Sequence, residues 1–437
     1  MSVIRELRAL LRLPGFRKLF AVRLISQCAD GMFQVGLATL LFFSPQSLGT
    51  AREVALGFVV MLAPFTIVGP FAGVLLDSWR RRSVLLWGNV VRALITAAMA
   101  ASLYLLGATA IVQVLGLAAL SINRFLLAGL SAGLPNVLRS KHSDGTELLL
   151  TANSLVPTLG AGAAFVGGGI GFLLTNLVPI PRLEDTLVLF AAAVTMFCAA
   201  LATTRLTGNQ LGPDQLNTAS LKNQIKAVVQ DLTAGARYLA KRLTPGQALL
   251  ATAAHRFLYG TVFIASILIS RNILANPGDT AAGIGNFAII MGLTGAGGAI
   301  AVVITPTLSR RVSPQTWVGL MFLLNAVSQL ILASYPTRLI VFGSALLLGV
   351  GAQASKIAID TIMQHDTTDE FRGRAFAFYD VIFNAAFVAA AVLAAFLVPD
   401  DGWARWLFSI IATCYALVAA LMWRFAARQP RPVVTTN

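Results

Sequence analysis

The sequence predicts an all-α membrane protein whose twelve transmembrane helices form two pseudo-symmetric bundles of six. The 437 residues are 57% hydrophobic and only 12% charged, whereas an ordinary soluble domain carries roughly 25% charged residues. Twelve apolar stretches reach the length of about 20 residues that a helix needs to cross a bilayer. Connections rich and poor in basic residues alternate along the chain, which is typical of a multi-pass membrane protein.

The twelve apolar stretches account for most of the chain. Their approximate bounds are 18–43, 53–76, 84–106, 110–134, 147–175, 185–205, 247–270, 281–306, 315–334, 338–361, 375–398 and 403–426. The alternating strands of about ten residues that a membrane barrel needs are absent from the sequence. Helices are therefore expected, because a helix satisfies its own backbone groups in lipid.

A polar stretch after the sixth span divides the chain. It begins with Gly, Asn, Gln and Pro, which are typical of a flexible loop, and continues with leucines and lysines at helical spacing. We therefore expect a six-helix bundle over 1–205, a linker with a basic amphipathic helix over 206–244, and a second bundle with a short tail over 245–437.

The net charge of +15 is concentrated in one set of connections. Taking residues 1–18 and every second loop thereafter, 23 of the 33 Lys and Arg fall in one set, and five fall in the other. Because loops rich in Lys and Arg stay in the cytoplasm, both termini are expected there, in a bacterial inner membrane. The amphipathic segment 3–13 is expected to lie at the membrane surface or to hold the N-terminus inside.

Several motifs resemble the major facilitator superfamily. The stretch 73–82, "GVLLDSWRRR", resembles the signature loop of that family, and 369–380, "DEFRGRAFAFYD", resembles the matching stretch of bacterial drug-efflux members. The stretches "RLISQCADGMF" at 23–33 and "LLLTANSLV" at 148–156 resemble the subgroup related to macrolide exporters. The resemblance extends over essentially the whole chain and implies the twelve-helix transporter fold.

The signature loop implies a contact between the two halves. In the family, the acid of this loop meets the start of span 11, a positive helix end, and so latches the halves on the cytoplasmic side. The residues assigned to this latch are Gly73, Asp77, Arg80, Arg81, Arg92 and Asp380. The alternative is that Asp77 only offsets the three neighbouring arginines.

Two charges in the first half are candidates for proton coupling. A charge at the bilayer centre costs at least ~2.5–3.5 kcal/mol. Asp30 lies twelve residues after Lys18, and Arg124 lies twelve before Asn136, so both are roughly 18 Å deep. The family fold implies that spans 1 and 4 line a central cavity, so Asp30 and Arg124 are expected to pair. Protonation of Asp30 would then release Arg124, unless the pair is a static structural feature.

Span 5 is rich in glycine over 160–171, "GAGAAFVGGGIG". Small residues let helices approach closely, and helix packing is the expected role of this stretch. Antiporters of the family often carry a Gly-Pro step here, which this sequence lacks.

Five further residues are predicted to line a substrate cavity. They are Gln27, His255, Arg256, Tyr259 and Lys356. With Gly260 laid on Gly31, Arg256 of span 7 falls opposite Gln27 of span 1. The cations of spans 7 and 10 would attract an anionic group, although long basic side chains also reach to the membrane interface. A lone histidine is more often a structural residue.

These features predict a secondary active exporter of amphiphilic small molecules, driven by protons. The expected partners are a small-molecule substrate, protons and membrane lipids, with no nucleic acid, and a monomer is expected. A lysophospholipid or other lipid carrier is one alternative, and a non-transporting scaffold or receptor is another. The sequence lacks a phosphate loop, an HExxH motif and a His/Cys cluster, so it predicts neither an enzyme nor a metal or other cofactor.

Overall fold

The computed structural model describes residues 3–38, 40, 50–55, 57–59, 71, 79–107, 109–138, 145–177, 180, 182–207, 210–212, 220–276, 278–309 and 312–427. Within these ranges thirteen helices can be followed and no strand occurs. The chain divides into two compact units, the first comprising Met1–Ser47 with Val60–Val228 and the second comprising Leu48–Val59 with Val229–Asn437. The all-helical prediction is confirmed for the described residues.

Six helices of the first unit lie within the described residues. They are α1 (Val3–Leu11), α2 (Pro14–Ala38), α3 (Arg81–Leu106), α4 (Ala110–Leu138), α5 (Gly145–Leu177) and α6 (Leu183–Thr204). α2 packs against α5 and α6, while α3 packs against α4 and α6. Leu10 of α1 is fully buried in a core with Phe16 and Leu19. The apolar face of α1 therefore packs at least partly on protein, whereas the sequence suggested the membrane surface.

In the second unit, six long helices lie within the part of the chain that the structure describes. They are α8 (Leu243–Asn272), α9 (Thr280–Leu308), α10 (Pro314–Ser334), α11 (Arg338–Asp366), α12 (Asp369–Leu397) and α13 (Arg405–Ala427). α8 packs against α12, α9 against α11, and α10 against both α11 and α13. Three helices begin at side chains that accept a backbone N–H, namely those of Asp279, Ser313 and Thr337. Such caps provide an acceptor for backbone N–H groups of the first turn, which have no partner within the helix.

Ten of the described helices have the length and apolar composition to cross a membrane. They correspond to predicted spans 3 to 12. α2 corresponds to span 1 and is 25 residues long, but it carries charged residues such as Arg23 and Asp30. Most of span 2, predicted over 53–76, lies outside the described residues.

Glycines permit close helix packing at equivalent places in the two units. A methyl group at Gly31 would come 1.9 Å from the carbonyl oxygen of Ala164 on α5, and one at Gly167 would come 1.9 Å from the oxygen of Cys28 on α2. In the second unit, a methyl group at Gly260 of α8 would meet α12 at 2.8 Å. This agrees with the alignment of Gly260 on Gly31, and it confirms a packing role for Gly167 within the glycine-rich stretch.

The linker contains α7 (Leu221–Lys241), and its C-terminal part docks on the start of α12 within the second unit. The ring of Tyr238 stacks on Phe371 with centroids 4.7 Å apart, and its hydroxyl accepts the backbone N–H of Thr368 at 3.1 Å. Arg374 Nε pairs with Asp231 Oδ1 at 2.8 Å. The predicted basic amphipathic helix is therefore present, and part of it packs on protein.

Candidate functional site

An ion pair between α2 and α3 lies in the interior of the first unit. Arg92 donates a hydrogen bond from Nη2 to Oδ1 of Asp30. The side chains of Arg92 and Asp30 are 1% and 5% exposed, so bulk water does not screen them. The Nε and Nη1 atoms of Arg92 have no hydrogen-bond partner within the described part of the chain. The pair thus combines nearly complete burial with incomplete hydrogen bonding, which is an energetically costly arrangement.

The partner of Asp30 corrects the sequence expectation. From the sequence, Arg124 of α4 was the predicted partner and Arg92 was assigned to the latch. In the structure, Asp30 instead forms an ion pair with Arg92 of α3. Arg92 lies twelve residues after Arg80, so its depth is also roughly 18 Å. Depth could therefore have identified Arg92 as a candidate, but it could not separate Arg92 from Arg124. Arg124 is half-buried on α4.

A second polar contact joins the same two helices one turn away. Ser26 Oγ donates to Asn89 Oδ1 at 3.3 Å, and Asn89 Nδ2 donates to the carbonyl oxygen of Leu85 at 2.8 Å. Ser26 and Asn89 are both buried. Buried polar groups of this kind hold helices in a fixed register, because each loses a hydrogen bond when the helices separate.

Gln27 is held by Arg23, one turn earlier on α2. Arg23 Nε donates to Gln27 Oε1 at 3.0 Å, and Arg23 Nη1 lies 3.5 Å from Ser131 Oγ of α4. A methyl group at Gly160 of α5 would come 1.8 Å from Gln27 Oε1. Gln27 is thus packed between α2 and α5, and its role in a substrate cavity stays a prediction.

In the second unit, Arg256 of α8 lies against aromatic rings. Its Cζ is 3.9 Å from the ring centroid of Phe383 and 4.2 Å from that of Phe387, both on α12, and 5.8 Å from that of Tyr259. Cations at this distance from ring faces are attracted by the ring quadrupole. We call these four residues the aromatic–cation cluster. The sequence singled out Arg256 and Tyr259 but missed the two phenylalanines, because an apolar residue in a span carries no distinguishing signal.

His255 lies in the core of the second unit. It is 7% exposed, and its Nδ1 lies 3.2 Å from the hydroxyl of Tyr415. Its ring centroid is 5.8 Å from that of Phe322. The ring of His255 is thus packed and hydrogen-bonded within the unit, and its place in a substrate cavity stays a prediction.

Lys356 of α11 forms the local pair that its spacing predicts. Its Nζ bonds to Asp360 Oδ2, four residues later, and the second oxygen of Asp360 accepts the hydroxyl of Tyr379 at 2.9 Å. The Lys356 side chain is 40% exposed, and its Nζ lies 6.0 Å from the ring centroid of Phe383. Lys356 is thus close to the aromatic–cation cluster, but its charge is partly balanced by Asp360.

A small cavity adjoins this cluster and was not predicted from the sequence. It has a volume of about 30 Å³ and is lined by residues of α8 to α11, including Tyr259, Thr294, Gln329 and Ser344. Gln329 Oε1 and Ser344 Oγ are buried without a hydrogen-bond partner in the described ranges. A cavity of this size accommodates one water molecule.

The predicted latch is only partly covered by the structure. Gly73 and Asp77 lie outside the described residues, and Asp380 is exposed on α12. Arg80 is exposed at the start of α3. Arg81 Nη1 donates to the carbonyl oxygens of Ala132 and Leu211, at 2.9 and 3.2 Å. Arg81 thus ties the start of α3 to neighbouring backbone of the first unit, and the latch itself stays a prediction.

Comparison with known proteins gives a consistent relationship along the chain. Residues 248–437 match the model of the Major Facilitator Superfamily. The chain is 31% identical over 428 residues to the uncharacterized MFS-type transporter Rv0037c of Mycobacterium tuberculosis, and equally to Mb0038c of Mycobacterium bovis. Each alignment covers 98% of this chain and 94% of the relative.

Solved structures show the same fold at low sequence identity. A crystal structure of a peptide transporter POT mutant in complex with sulfate matches with a TM-score of 0.68 and 13% identity, covering 94% of each chain. A mutant of the nucleoside transporter NupG matches with a TM-score of 0.61 and 13% identity, covering 93% of this chain and 98% of that one. At this identity the likeness concerns the fold alone.

Proposed function

This chain belongs to the major facilitator superfamily of secondary transporters, and we propose that it exports amphiphilic small molecules by proton-coupled alternating access. The observation that carries the proton coupling is the ion pair of Asp30 and Arg92. A carboxylate and a guanidinium that are both buried between helices demand an explanation, because ionisable groups at membrane depth are costly and tend to be functional.

The geometry of the pair suits a proton switch. One hydrogen bond joins Asp30 to Arg92 while two other guanidinium nitrogens lack partners, so the pair is not saturated in the way that a static buried ion pair requires. Protonation of the Asp30 carboxylate removes its charge and weakens the bond to Arg92. α2 and α3 are then held together by the neutral contact of Ser26 and Asn89, and their relative movement becomes easier.

The amphiphilic substrate is supported by the aromatic–cation cluster, which offers ring faces and a cation side by side. The export direction rests on the resemblance of residues 369–380 to drug-efflux members. Because the two named relatives are uncharacterized, neither substrate nor direction is inherited from them.

The test is transport by the purified full chain in proteoliposomes with an imposed pH gradient. A fluorescent amphiphilic cation and a lysolipid serve as alternative substrates. Asp30→Asn is expected to abolish accumulation against a gradient while substrate binding and downhill exchange persist. The matched control is Asp401→Asn, the same change in an exposed turn, which is expected to transport normally. Uphill transport by Asp30→Asn at the rate of the control would refute the role of Asp30.

A further inference from the structure

We propose that the second unit binds the anionic group of an amphiphile, a phosphate or a carboxylate, at Arg256, with the apolar body of that molecule against Phe383 and Phe387. This inference rests on the proposed transport function and names its substrate class. It concerns only the contacts within the second unit.

Two phenylalanine rings position the guanidinium of Arg256. Arg256 Cζ lies 3.9 Å from the centroid of Phe383 and 4.2 Å from that of Phe387, which lie four residues apart on α12. Contact with two rings restricts the movement of the guanidinium, whose planar set of N–H donors can still bind a ligand. That edge matches the two oxygens of a carboxylate or phosphate, with which arginine forms paired hydrogen bonds.

Among the described residues, Arg256 has no compensating acid. Arg256 makes no salt bridge with a described carboxylate, and its buried Nε has no hydrogen-bond partner there. Asp360 of α11 already bonds to Lys356 and to the hydroxyl of Tyr379, and Asp380 of α12 is exposed. A partly buried cation without an anion is costly, and a bound anion would remove that cost.

A second cation lies near the cluster. Lys356 Nζ lies 6.0 Å from the centroid of Phe383, so a second cation approaches the ring on which Arg256 stacks. Lys356 is paired with Asp360, so the charge without a described carboxylate partner at the cluster is that of Arg256. A cationic amphiphile would be repelled there, whereas an anionic one gains both charge attraction and burial of its apolar part against the rings.

The experiment measures binding to the full chain in nanodiscs of zwitterionic lipid, without a pH gradient, by titration calorimetry. The probes are dodecyl phosphate, laurate, dodecyltrimethylammonium and inorganic phosphate. We expect the two amphiphilic anions to bind at least about tenfold more tightly than the other two. Arg256→Ala should weaken dodecyl phosphate binding by about ten- to a hundredfold, the range for a charged hydrogen bond.

The matched control is Arg405→Ala, which removes the same charge from the start of α13, where Arg405 contacts only the backbone of Ser334 among described polar groups. The Arg405→Ala variant should bind dodecyl phosphate with the affinity of the wild type. If Arg256→Ala fails to fold, Arg256→Lys keeps the charge but loses the planar fork, and it should bind dodecyl phosphate several-fold more weakly. Wild-type affinity in Arg256→Lys would overturn the assignment, as would equal affinities of the Arg256→Ala and Arg405→Ala variants.

The remaining outcomes separate this inference from the proposed function. If inorganic phosphate binds as tightly as dodecyl phosphate, the proposal of an amphiphilic ligand is overturned. The site would then bind a free anion. If the cationic probe binds best while Asp30-dependent uphill transport is observed, the anion site is refuted and proton-coupled export stands. Anion binding that depends on Arg256 but occurs without any proton-driven transport supports the site and counts against the proposed coupling.

Discussion

Asp30 of α2 and Arg92 of α3 are joined by a charge-assisted hydrogen bond in the interior of the first unit, and both side chains are at most 5% exposed. Neither charge can be removed alone without leaving the other buried and uncompensated. This mutual dependence allows the contribution of the pair to stability to be measured separately from its contribution to transport.

We expect Arg92→Ala to lower the free energy of unfolding by about 3–5 kcal/mol, because it leaves the Asp30 carboxylate buried without its cation. Replacement of both partners, Asp30→Leu with Arg92→Met, should restore most of this loss, since apolar residues of similar size often replace a buried pair without penalty. Unfolding in detergent, followed by circular dichroism, tests both variants. A wild-type unfolding curve for Arg92→Ala would contradict the buried pair. The double variant should remain folded yet fail in pH-driven transport.

Two glycines of α5 provide a matched pair of substitutions. A methyl group at Gly167 would come 1.9 Å from the carbonyl oxygen of Cys28, whereas one at Gly169 meets nothing within 4 Å. Gly167→Ala should therefore destabilise the first unit by about 1–3 kcal/mol or more through overpacking. Gly169→Ala should be neutral, or stabilising by up to ~1 kcal/mol, because alanine favours a helix over glycine. The melting temperatures of the two variants, measured by thermal unfolding, test this prediction. Equal melting temperatures would contradict the close contact of α2 and α5.

The docking of α7 on α12 gives a second matched pair. A methyl group at Gly235 would come 2.4 Å from the carbonyl oxygen of Arg374, whereas one at Gly373 has open space. We expect Gly235→Ala to displace α7 and to raise hydrogen exchange over residues 229–241, because the obstructing atoms are backbone. Gly373→Ala should leave exchange in this segment unchanged. Unaltered exchange in Gly235→Ala would show that α7 is not held by this contact.

The docking also predicts how Tyr238 titrates. Hydrogen bonds with the side chain and the backbone N–H of Thr368 lower the pKa of the Tyr238 hydroxyl below its usual value of about 10. Because these contacts favour the anion, docking should tighten as the pH rises through the lowered pKa towards 10, and this gain should be absent below it. Absorbance at 295 nm, compared between the wild type and Tyr238→Phe, isolates this titration. A Tyr238 titration at or above pH 10 would exclude the contact.

Cysteine labelling tests the orientation of the chain in the membrane. The distribution of basic residues predicts that the linker is cytoplasmic. In a background with Cys28, Cys198 and Cys414 replaced by serine, Gln215→Cys should resist a membrane-impermeant maleimide in intact cells, and Asn276→Cys, between α8 and α9, should react. Labelling of position 215 but not 276 would invert the predicted topology.

The sequence by itself determined the helices, because hydrophobicity and length are local properties of each stretch. Spans 3 to 12 appear as helices near their predicted bounds, and the spacing of Lys356 and Asp360 fixed their pairing since both lie on one helix. The glycine-rich stretch of span 5 also predicted helix packing, because small residues in a membrane helix let a neighbouring helix approach closely.

Only the tertiary structure decided which residues of different helices meet. Arg92 and Arg124 lie at the same calculated depth of roughly 18 Å, so the identity of the partner of Asp30 depends on how α3 and α4 are rotated about their axes. The rings of Phe383 and Phe387 meet Arg256 for the same reason. Helix rotation follows from packing over the whole unit, where many weak contacts add together, and no single stretch of sequence contains that information.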